Sequence, residues 1–325
     1  MNILVAGGTG FVGSNLCEKL LLTTKNNIYC LDNNYTGSND NISHLLDNPR
    51  FFLIHHDINN NNLFLKEKID YIYNLACPAS PKAYQKDPIY TIKTCVYGTI
   101  NLLEIAKKHN ARILLTSTSE IYGDPKEHPQ KETYRGNVNT IGIRSCYDEG
   151  KRIGETIMME YKRCYNVDIR IARLFNTYGP NMSIDDGRVV SNFINQCIYN
   201  KDITIYGDGS QTRSFCYVTD TVDCLIKLME SDYSHPINIG NPNENSIKFL
   251  ANFILNKISD SISNIVYKDL PKDDPCLRKP DITLANNVLK WEPKITLDDG
   301  IERTIDYFKQ LYKIPSIETN NTKIV

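Results

Sequence analysis

Short apolar runs rich in β-branched residues alternate with longer amphipathic stretches through the first two-thirds of the chain. Six of these runs predict β-strands, and four of the stretches predict helices. The predicted strands are Asn2–Ala6, Ile28–Leu31, Phe51–Ile54, Tyr71–Leu75, Arg112–Thr116 and Asp168–Leu174, and the predicted helices are Gly10–Leu22, Asp40–Leu46, Pro88–His109 and Cys146–Tyr165. This alternation predicts an α/β fold with a doubly wound parallel sheet and helices on both faces.

The alternation becomes less regular after Gly179. A helix is predicted over Arg188–Tyr199, a strand over Thr204–Tyr206 and a further helix over Asp220–Glu230. We therefore predict a nucleotide-binding domain over residues 1–179 and a second, smaller α/β substrate domain over 180–312. Residues 207–235 are expected to return in part to the first domain, and residues 313–325 form a polar tail that we expect to be flexible.

The composition is that of an ordinary globular protein, with 41% hydrophobic and 23% charged residues among 325. The formal net charge of -1 argues against a protein whose main role is to coat nucleic acid, so no nucleic-acid partner is expected. The chain contains no apolar run of roughly 18 residues, so we expect no membrane span and no membrane partner.

Ten cysteines are scattered singly through apolar segments, with no Cys-x-x-Cys pair. Reduced and mostly buried thiols are typical of cytosolic proteins, and Met1 leads into the first strand without the pattern of a signal peptide. We therefore expect a cytoplasmic location. His55 and His56 form the only histidine cluster, but neighbouring residues on an extended segment point to opposite faces, so no metal site is predicted.

Glycines at positions 7, 10 and 13 lie between the first predicted strand and the first predicted helix. Gly7 would allow a tight turn, Gly10 the approach of a pyrophosphate, and Gly13 close packing of the helix on the strand. Asp32 ends the next strand, where a carboxylate accepts hydrogen bonds from ribose hydroxyls and repels a 2′-phosphate. The pattern predicts a Rossmann-type site for NAD rather than NADP.

Tyr147 and Lys151 are four residues apart on a predicted helix, so both side chains lie on one helical face. A nearby ammonium should lower the pKa of the phenol, which could then take a proton from a substrate hydroxyl. Thr118 follows a predicted strand, where parallel sheets place their ligands, and could hydrogen-bond the same substrate oxygen. Spacing alone leaves alternatives open. Tyr147 and Lys151 could be surface residues, and Thr118 could be a strand-end cap.

With these motifs the chain resembles the extended short-chain dehydrogenase/reductase family that acts on nucleotide sugars, from about Met1 to about Tyr312. The chain departs from the family pattern at Cys95, Tyr97, Arg135 and Thr140, where we expect Asn, a smaller aliphatic residue, Trp and Pro. The segments that carry the resemblance are Leu75–Pro81, Thr116–Pro125, Ser145–Arg152, Asp186–Phe193 and Arg278–Asp281.

The resemblance implies NAD-dependent decarboxylation of UDP-glucuronic acid to UDP-xylose. Dehydratases of the family carry Asp-Glu where this chain has Ser119-Glu120, and a neutral serine suits a substrate carboxylate that a second acid would repel. The implied steps are oxidation at C4, loss of CO2, protonation of C5 by Glu120, Arg278 or a water they hold, and re-reduction at C4. The alternatives are a 4,6-dehydratase, a 4-epimerase, or a regulatory protein that only senses NAD.

The resemblance also implies which residues form the site. The catalytic set is Tyr147, Lys151, Thr118, Ser119, Glu120 and Arg278. The cofactor set, which shares Tyr147 and Lys151, is Gly7, Gly10, Phe11, Val12, Gly13, Asp32, Asn33, Thr36, Gly37, Asp57, Ile58, Leu75 and Ala76. The substrate set is Tyr84, Lys93, Asn176, Arg188, Tyr206, Gln211, Arg213 and Arg278, with Tyr84 and Lys93 beside the sugar.

The two long predicted helices, Pro88–His109 and Cys146–Tyr165, carry apolar residues on more than one face. In the family such helices pair across a two-fold axis, so the resemblance implies a homodimer. The alternative is that both faces are buried within one chain.

Overall fold

The computed structural model describes residues 1–269 and 277–313. Cys276 and the predicted tail beyond residue 313 lie outside the described residues. The α-helices are α1 (Phe11–Thr23), α2 (Pro81–Lys86), α3 (Pro88–Lys93), α4 (Thr99–His109), α5 (Ser145–Tyr165), α6 (Val189–Ile198), α7 (Val218–Glu230), α8 (Ile247–Lys257), α9 (Thr283–Leu289) and α10 (Leu297–Lys313). The strands are β1 (Asn2–Ala6), β2 (Asn27–Asp32), β3 (Phe51–His55), β4 (Tyr71–Asn74), β5 (Arg112–Thr118), β6 (Ile169–Leu174), β7 (Thr177–Tyr178), β8 (Ile203–Tyr206), β9 (Thr212–Ser214), β10 (Cys216–Tyr217), β11 (Pro236–Ile239), β12 (Glu244–Ser246), β13 (Ile265–Lys268) and β14 (Leu277–Arg278).

Seven parallel strands form the main sheet in the order β11-β6-β5-β4-β1-β2-β3. The strand order reverses between β1 and β4, and parallel sheets bind their ligands at the carboxyl ends of the strands beside such a reversal. The predicted doubly wound α/β fold is thus confirmed. The predicted β1 has the observed bounds, and the other five predicted strands differ from the observed ones by at most two residues at an end.

Alternate residues of β1 face opposite sides of the sheet, as the strand period requires. Ile3 and Val5 pack in a core with α1, α7 and α9. Leu4 and Ala6 pack in another core with α4 and α5. Every one of these four β1 side chains is buried, which explains why the strand is a continuous apolar run rather than an alternating one.

The predicted helix Pro88–His109 is not continuous. It is divided into α3, a π-helical turn over Thr94–Gly98, and α4. Gly98 in this turn packs so closely on Ile58 that an added Cβ would lie 2.4 Å from the Ile58 Cδ1 atom. The predicted helix Asp40–Leu46 is instead a 3-10 helix over Asn39–Leu45. Helical periodicity does not distinguish these tighter and wider turns from a regular α-helix.

The chain after Gly179 contributes to both halves of the molecule. Residues of α7, β11 and α9, together with Trp291, join the core on one face of the main sheet. The helices α6, α8 and α10 form a second core with β8. The sheet therefore has a seventh strand, β11, that the hydrophobic pattern did not predict. The return of residues 207–235 to the first domain stays a prediction. The division at residue 179 stays a prediction.

Three small sheets support the second core and the loops around it. They are β7 with β10, β8 with β13, and the three-stranded sheet β12-β9-β14. In the described ranges, no helix is both long enough and apolar enough to cross a membrane.

Candidate active site

A cavity of about 1180 Å³ lies between the carboxyl edge of the main sheet and the second core. It is lined by every predicted site residue except Lys93. Those lining residues are Gly7, Gly10, Phe11, Val12, Gly13, Asp32, Asn33, Thr36, Gly37, Asp57, Ile58, Leu75, Ala76, Tyr84, Thr118, Ser119, Glu120, Tyr147, Lys151, Asn176, Arg188, Tyr206, Gln211, Arg213 and Arg278.

The glycine loop has the geometry that a dinucleotide pyrophosphate needs. Gly7 has a φ of +81°, and an added Cβ would lie 2.8 Å from the Ala76 nitrogen. A Cβ on Gly13 would lie 2.0 Å from the Gly7 carbonyl oxygen, so only glycine allows α1 to begin this close to the loop. Gly10 precedes α1 without a side-chain cap, which leaves the helix N-terminus open to an anion. These residues fit NAD.

Asp32 ends β2 and stabilises the loop from the other side. Its Oδ2 accepts a hydrogen bond from the Thr9 backbone N–H at 3.0 Å, and its Oδ1 accepts one from the Asn34 N–H at 2.8 Å. Because each carboxylate oxygen can accept more than one hydrogen bond, the group retains acceptor capacity toward ribose hydroxyls. A carboxylate at this edge also repels a 2′-phosphate.

A hydrogen-bonded chain connects two of the predicted cofactor residues. Asn33 Nδ2 donates to the Tyr90 hydroxyl at 2.6 Å, and that hydroxyl donates to Asp57 Oδ2 at 2.9 Å. Tyr90 was not among the predicted site residues. Its position depends on a contact across more than 30 residues of sequence, and no local signal marks it.

The predicted pair Tyr147 and Lys151 lies on α5 with both side chains buried. The Lys151 ammonium lies 5.8 Å from the centre of the Tyr147 ring and donates to the Thr116 carbonyl oxygen at 2.8 Å. Thr118 hydrogen-bonds Tyr147 and also accepts a hydrogen bond from the Glu120 N–H at 3.2 Å. Thr118 thus serves as a strand-end cap and as a partner of the phenol.

The expected lowering of the Tyr147 pKa is not observed. Burial raises the pKa of the phenol well above its ordinary value, and the neighbouring Cys77 thiol acts in the same direction. The hydrogen bond from Thr118 lowers it only in part. Desolvation of the buried phenol is the largest influence on its pKa, and the Lys151 ammonium hydrogen-bonds a backbone carbonyl rather than the phenol.

Glu120 is held between two arginines. Arg144 donates to its Oε1 at 2.9 Å and Arg278 donates to its Oε2 at 2.8 Å. Burial would raise the pKa of this carboxyl, but the charges of Arg278 and Arg144 together with their hydrogen bonds outweigh burial and lower it. Glu120 is therefore an ionised carboxylate.

The pairing of two short strands, β9 and β14, places Arg278 at the cavity. β14 pairs with β9 so that Arg278 lies beside Arg213. Both side chains are buried, and Arg278 also contacts the Asn176 side-chain oxygen at 3.4 Å. Two guanidinium groups therefore face the cavity from adjacent strands, which suits an anionic substrate.

The remaining predicted substrate residues lie toward the second core. Arg188 forms an ion pair with Asp186 and lies 5.5 Å from the centre of the Phe11 ring, so it connects the start of α1 with the second core. Gln211 donates to the Tyr206 carbonyl oxygen at 2.7 Å. Together they form a polar wall of the cavity.

The two residues expected beside the sugar have different positions. The Tyr84 ring is buried and stacks on Tyr147 with centroids 5.0 Å apart, and its hydroxyl has no hydrogen-bond partner among the described residues. Lys93 is exposed on α3 and lies outside the cavity lining. The next residue, Thr94, lines the cavity, and successive helical residues are about 100° apart, so Lys93 points to solvent.

Two further residues near Glu120 were missed. Arg144 lies just before α5, and its partner is 24 residues earlier in the chain, so its role depends on the tertiary fold. Asp148 directly follows Tyr147 and is buried, and burial together with the Glu120 charge raises its pKa to about 7. Asp148 carried no local signal either, because a charged residue on an amphipathic helix usually faces solvent.

The fold and this site agree with the comparisons to known proteins. A family model described as GDP-mannose 4,6 dehydratase matches residues 4–304. The chain belongs to this family, which is part of the extended short-chain dehydrogenase/reductase group. The resemblance stated from the sequence motifs is thus confirmed.

The chain is 55% identical over 301 residues to UDP-glucuronic acid decarboxylase 5 of Arabidopsis thaliana, which covers 93% of this chain and 87% of that protein. It is 52% identical over 315 residues to UDP-glucuronic acid decarboxylase 3 of the same plant, with 97% and 91% covered. Among solved structures it is similar to UDP-glucuronic acid 4-epimerase from Bacillus cereus in complex with UDP-glucuronic acid and NAD. That similarity has a TM-score of 0.87 and 31% identity, covering 96% of this chain and 100% of that one.

Proposed function

We propose that this protein is an NAD-dependent enzyme that converts UDP-glucuronic acid to UDP-xylose and CO2. The observation that carries the proposal is the 55% identity to a UDP-glucuronic acid decarboxylase over 93% of the chain. The cavity adds to it, because the glycine loop fits a dinucleotide and two buried arginines, Arg213 and Arg278, face the position of an anionic substrate.

The glycine loop and Asp32 would hold NAD, which would supply a hydride acceptor for C4 of the sugar and the same hydride for the later re-reduction. Tyr147 takes the proton of the C4 hydroxyl, which requires it to ionise as substrate and cofactor bind, since its pKa is raised in the free protein. The substrate carboxylate is then β to a ketone, and its C–C bond breaks so that CO2 leaves with the electrons moving into the carbonyl. Thr118 and the protonated Tyr147 donate hydrogen bonds to the developing oxyanion.

The ionised state of Glu120 affects which group protonates C5 after CO2 has left. A carboxylate that accepts hydrogen bonds from Arg144 and Arg278 is a poor proton donor, because both arginines lower its pKa. We therefore favour a water held by Glu120 and Arg278 as the donor to C5. Ser119, which lines the cavity beside them, would donate a hydrogen bond to the substrate carboxylate.

A second candidate reaction is 4-epimerisation of the same substrate, since a UDP-glucuronic acid 4-epimerase has a similar structure at 31% identity. Mass spectrometry of the product separates the two reactions. Decarboxylation removes the mass of CO2 from UDP-glucuronic acid, whereas epimerisation leaves the mass unchanged. A product of unchanged mass would refute the proposal.

The role of Tyr147 is tested by Tyr147→Phe. We expect loss of at least about 10²-fold in turnover with unchanged NAD affinity, because the variant lacks the proton acceptor. Tyr267→Phe, at an exposed tyrosine outside the cavity, is the matched control. Unchanged turnover in Tyr147→Phe would exclude this tyrosine as the base.

We also propose a cytoplasmic homodimer. Four large apolar side chains are exposed on α3, the π-helical turn and α5, and pairing of two chains would cover them: Ile89, Ile92, Tyr97 and Ile153. Nine free thiols in the described part of the chain support a reducing compartment. Sedimentation equilibrium tests the dimer, and imaging of a tagged chain tests the location. A monomer, or a tagged chain outside the cytoplasm, would contradict the respective proposal.

A further inference from the structure

Two cysteines form a close pair at the wall of the cavity. The sulfur atoms of Cys77 and Cys95 are 3.4 Å apart and share a hydrogen bond. Cys77 follows β4 and lines the cavity, while Cys95 lies in the π-helical turn and is buried. Nothing in the proposed decarboxylation uses either thiol, so the pair needs a separate explanation.

The two thiols differ in access and in charge. Cys77 is half-buried and borders the cavity, so a small solute can reach it. The hydrogen bond from Cys95 lowers the pKa of Cys77, and the nearby Lys151 ammonium acts in the same direction. The same hydrogen bond and burial raise the pKa of Cys95. One accessible thiol of lowered pKa beside one protected thiol is the arrangement of an attacking and a resolving cysteine.

The geometry points to Cys77 and Cys95 as a site of reversible oxidation by peroxide that inactivates the enzyme. The Cys77 thiolate attacks one peroxide oxygen, the O–O bond breaks, and the second oxygen leaves as water after taking a proton. Cys77 is then a sulfenic acid. The Cys95 sulfur attacks the Cys77 sulfur, the S–O bond breaks, and hydroxide leaves with the Cys95 proton as a second water. Two thiols are oxidised and one peroxide is reduced.

The position of the pair explains why oxidation would stop turnover. Ala76, next to Cys77, packs on Gly7 of the glycine loop. On the other side, the Cys95 sulfur would lie 3.0 Å from a Cβ added at Gly150, the residue before Lys151. A disulfide needs its sulfurs near 2.0 Å, so they must approach by about 1.4 Å. That movement displaces the loop after β4 relative to α5, and shifts of this size at a catalytic pair are costly.

The experiment treats the NAD-bound enzyme with hydrogen peroxide and measures activity, intact mass and linked peptides. We expect turnover to fall at least about tenfold and to return on reduction with dithiothreitol. The chain should lose about 2 Da, and digestion should yield a peptide that joins Cys77 to Cys95. The mass and peptide measurements do not require that the enzyme decarboxylates UDP-glucuronic acid, so failure of the proposed function is distinguishable from failure of this inference.

Variants identify the resolving thiol. In Cys95→Ser the linked peptide should be absent, Cys77 should react with dimedone as a sulfenic acid, and activity should no longer return on reduction after prolonged peroxide. Cys164→Ser, at an exposed cysteine near the end of α5, is the matched control and should behave like the parent enzyme. Cys146, whose sulfur contacts the Tyr84 carbonyl oxygen at 3.6 Å, is the competing partner. A peptide that joins Cys77 to Cys146, or peroxide inactivation that is unchanged and still reversible in Cys95→Ser, would overturn the inference.

Discussion

Replacing Asp148 with asparagine should make the stability of this protein less sensitive to rising pH. The Asp148 side chain is buried on α5, and its Oδ1 has no hydrogen-bond partner in the described part of the chain. Burial raises its pKa most, followed by the charge of Glu120, with a smaller contribution from Glu149. The charges of Arg144 and Arg278 lower it, and the net result is a pKa of about 7.

The size of the effect follows from proton linkage. The ordinary pKa of an aspartic acid is 3.8 and that of Asp148 in the fold is about 7. Between these two values the folded chain binds this proton more tightly than the unfolded chain, so stability falls as pH rises. The contribution is fully present below the unfolded pKa and is lost once pH has risen through the folded pKa. Each pH unit is worth at most about 1.4 kcal/mol, and this slope is halved at the folded pKa, where half of the groups have lost the proton. About 2 kcal/mol is therefore lost between about pH 5 and pH 7, and roughly 3 kcal/mol by about pH 8.

Urea unfolding at a series of pH values tests this, and the single tryptophan provides the signal. Trp291 is 3% exposed and donates to the Asp220 carbonyl oxygen at 3.1 Å, so its fluorescence reports loss of the core beside the main sheet. Relative to the parent chain, Asp148→Asn should gain about 3 kcal/mol on going from pH 5 to pH 8. The exposed Asp47→Asn is the control and should show no such gain. A difference between Asp148→Asn and the parent that stays constant with pH would refute the reasoning.

Three further substitutions test the glycine loop, the ion pairs of Glu120 with the two arginines, and the position of Lys93 outside the cavity. Gly13→Ala should weaken NADH binding at least about tenfold in a fluorescence titration, since its Cβ would lie 2.0 Å from the Gly7 carbonyl oxygen; unchanged affinity would contradict the loop assignment. Arg144→Met should lower the free energy of unfolding by about 2 kcal/mol in urea, because the buried Glu120 carboxylate loses one of its two ionic hydrogen bonds. An unchanged midpoint would show that this bond contributes little. Lys93→Ala should leave KM for UDP-glucuronic acid within about twofold, as expected of an exposed surface charge, and a larger rise would place Lys93 at the substrate.

Local patterns predicted most of the sheet domain because its elements are defined over short stretches of sequence. β1 is a continuous apolar run, and its bounds Asn2–Ala6 were predicted without error. The strand β11 was missed because Pro236–Ile239 is only four residues long and is preceded by a polar loop. The division of Pro88–His109 was also missed, since the π-helical turn keeps the apolar spacing of a helix while Gly98 packs on Ile58.

The sequence by itself determined the glycine loop, the Tyr147–Lys151 spacing and the acidic end of β2, because each requirement is met within one loop, one helix or one strand. Only the tertiary structure decided the charge state of the site. Glu120 is ionised because Arg144 and Arg278 reach it from distant segments, and the Tyr147 pKa is raised mainly by burial of the phenol. Protonation depends on desolvation and on charges a few ångströms away in space, and spacing along the chain specifies neither.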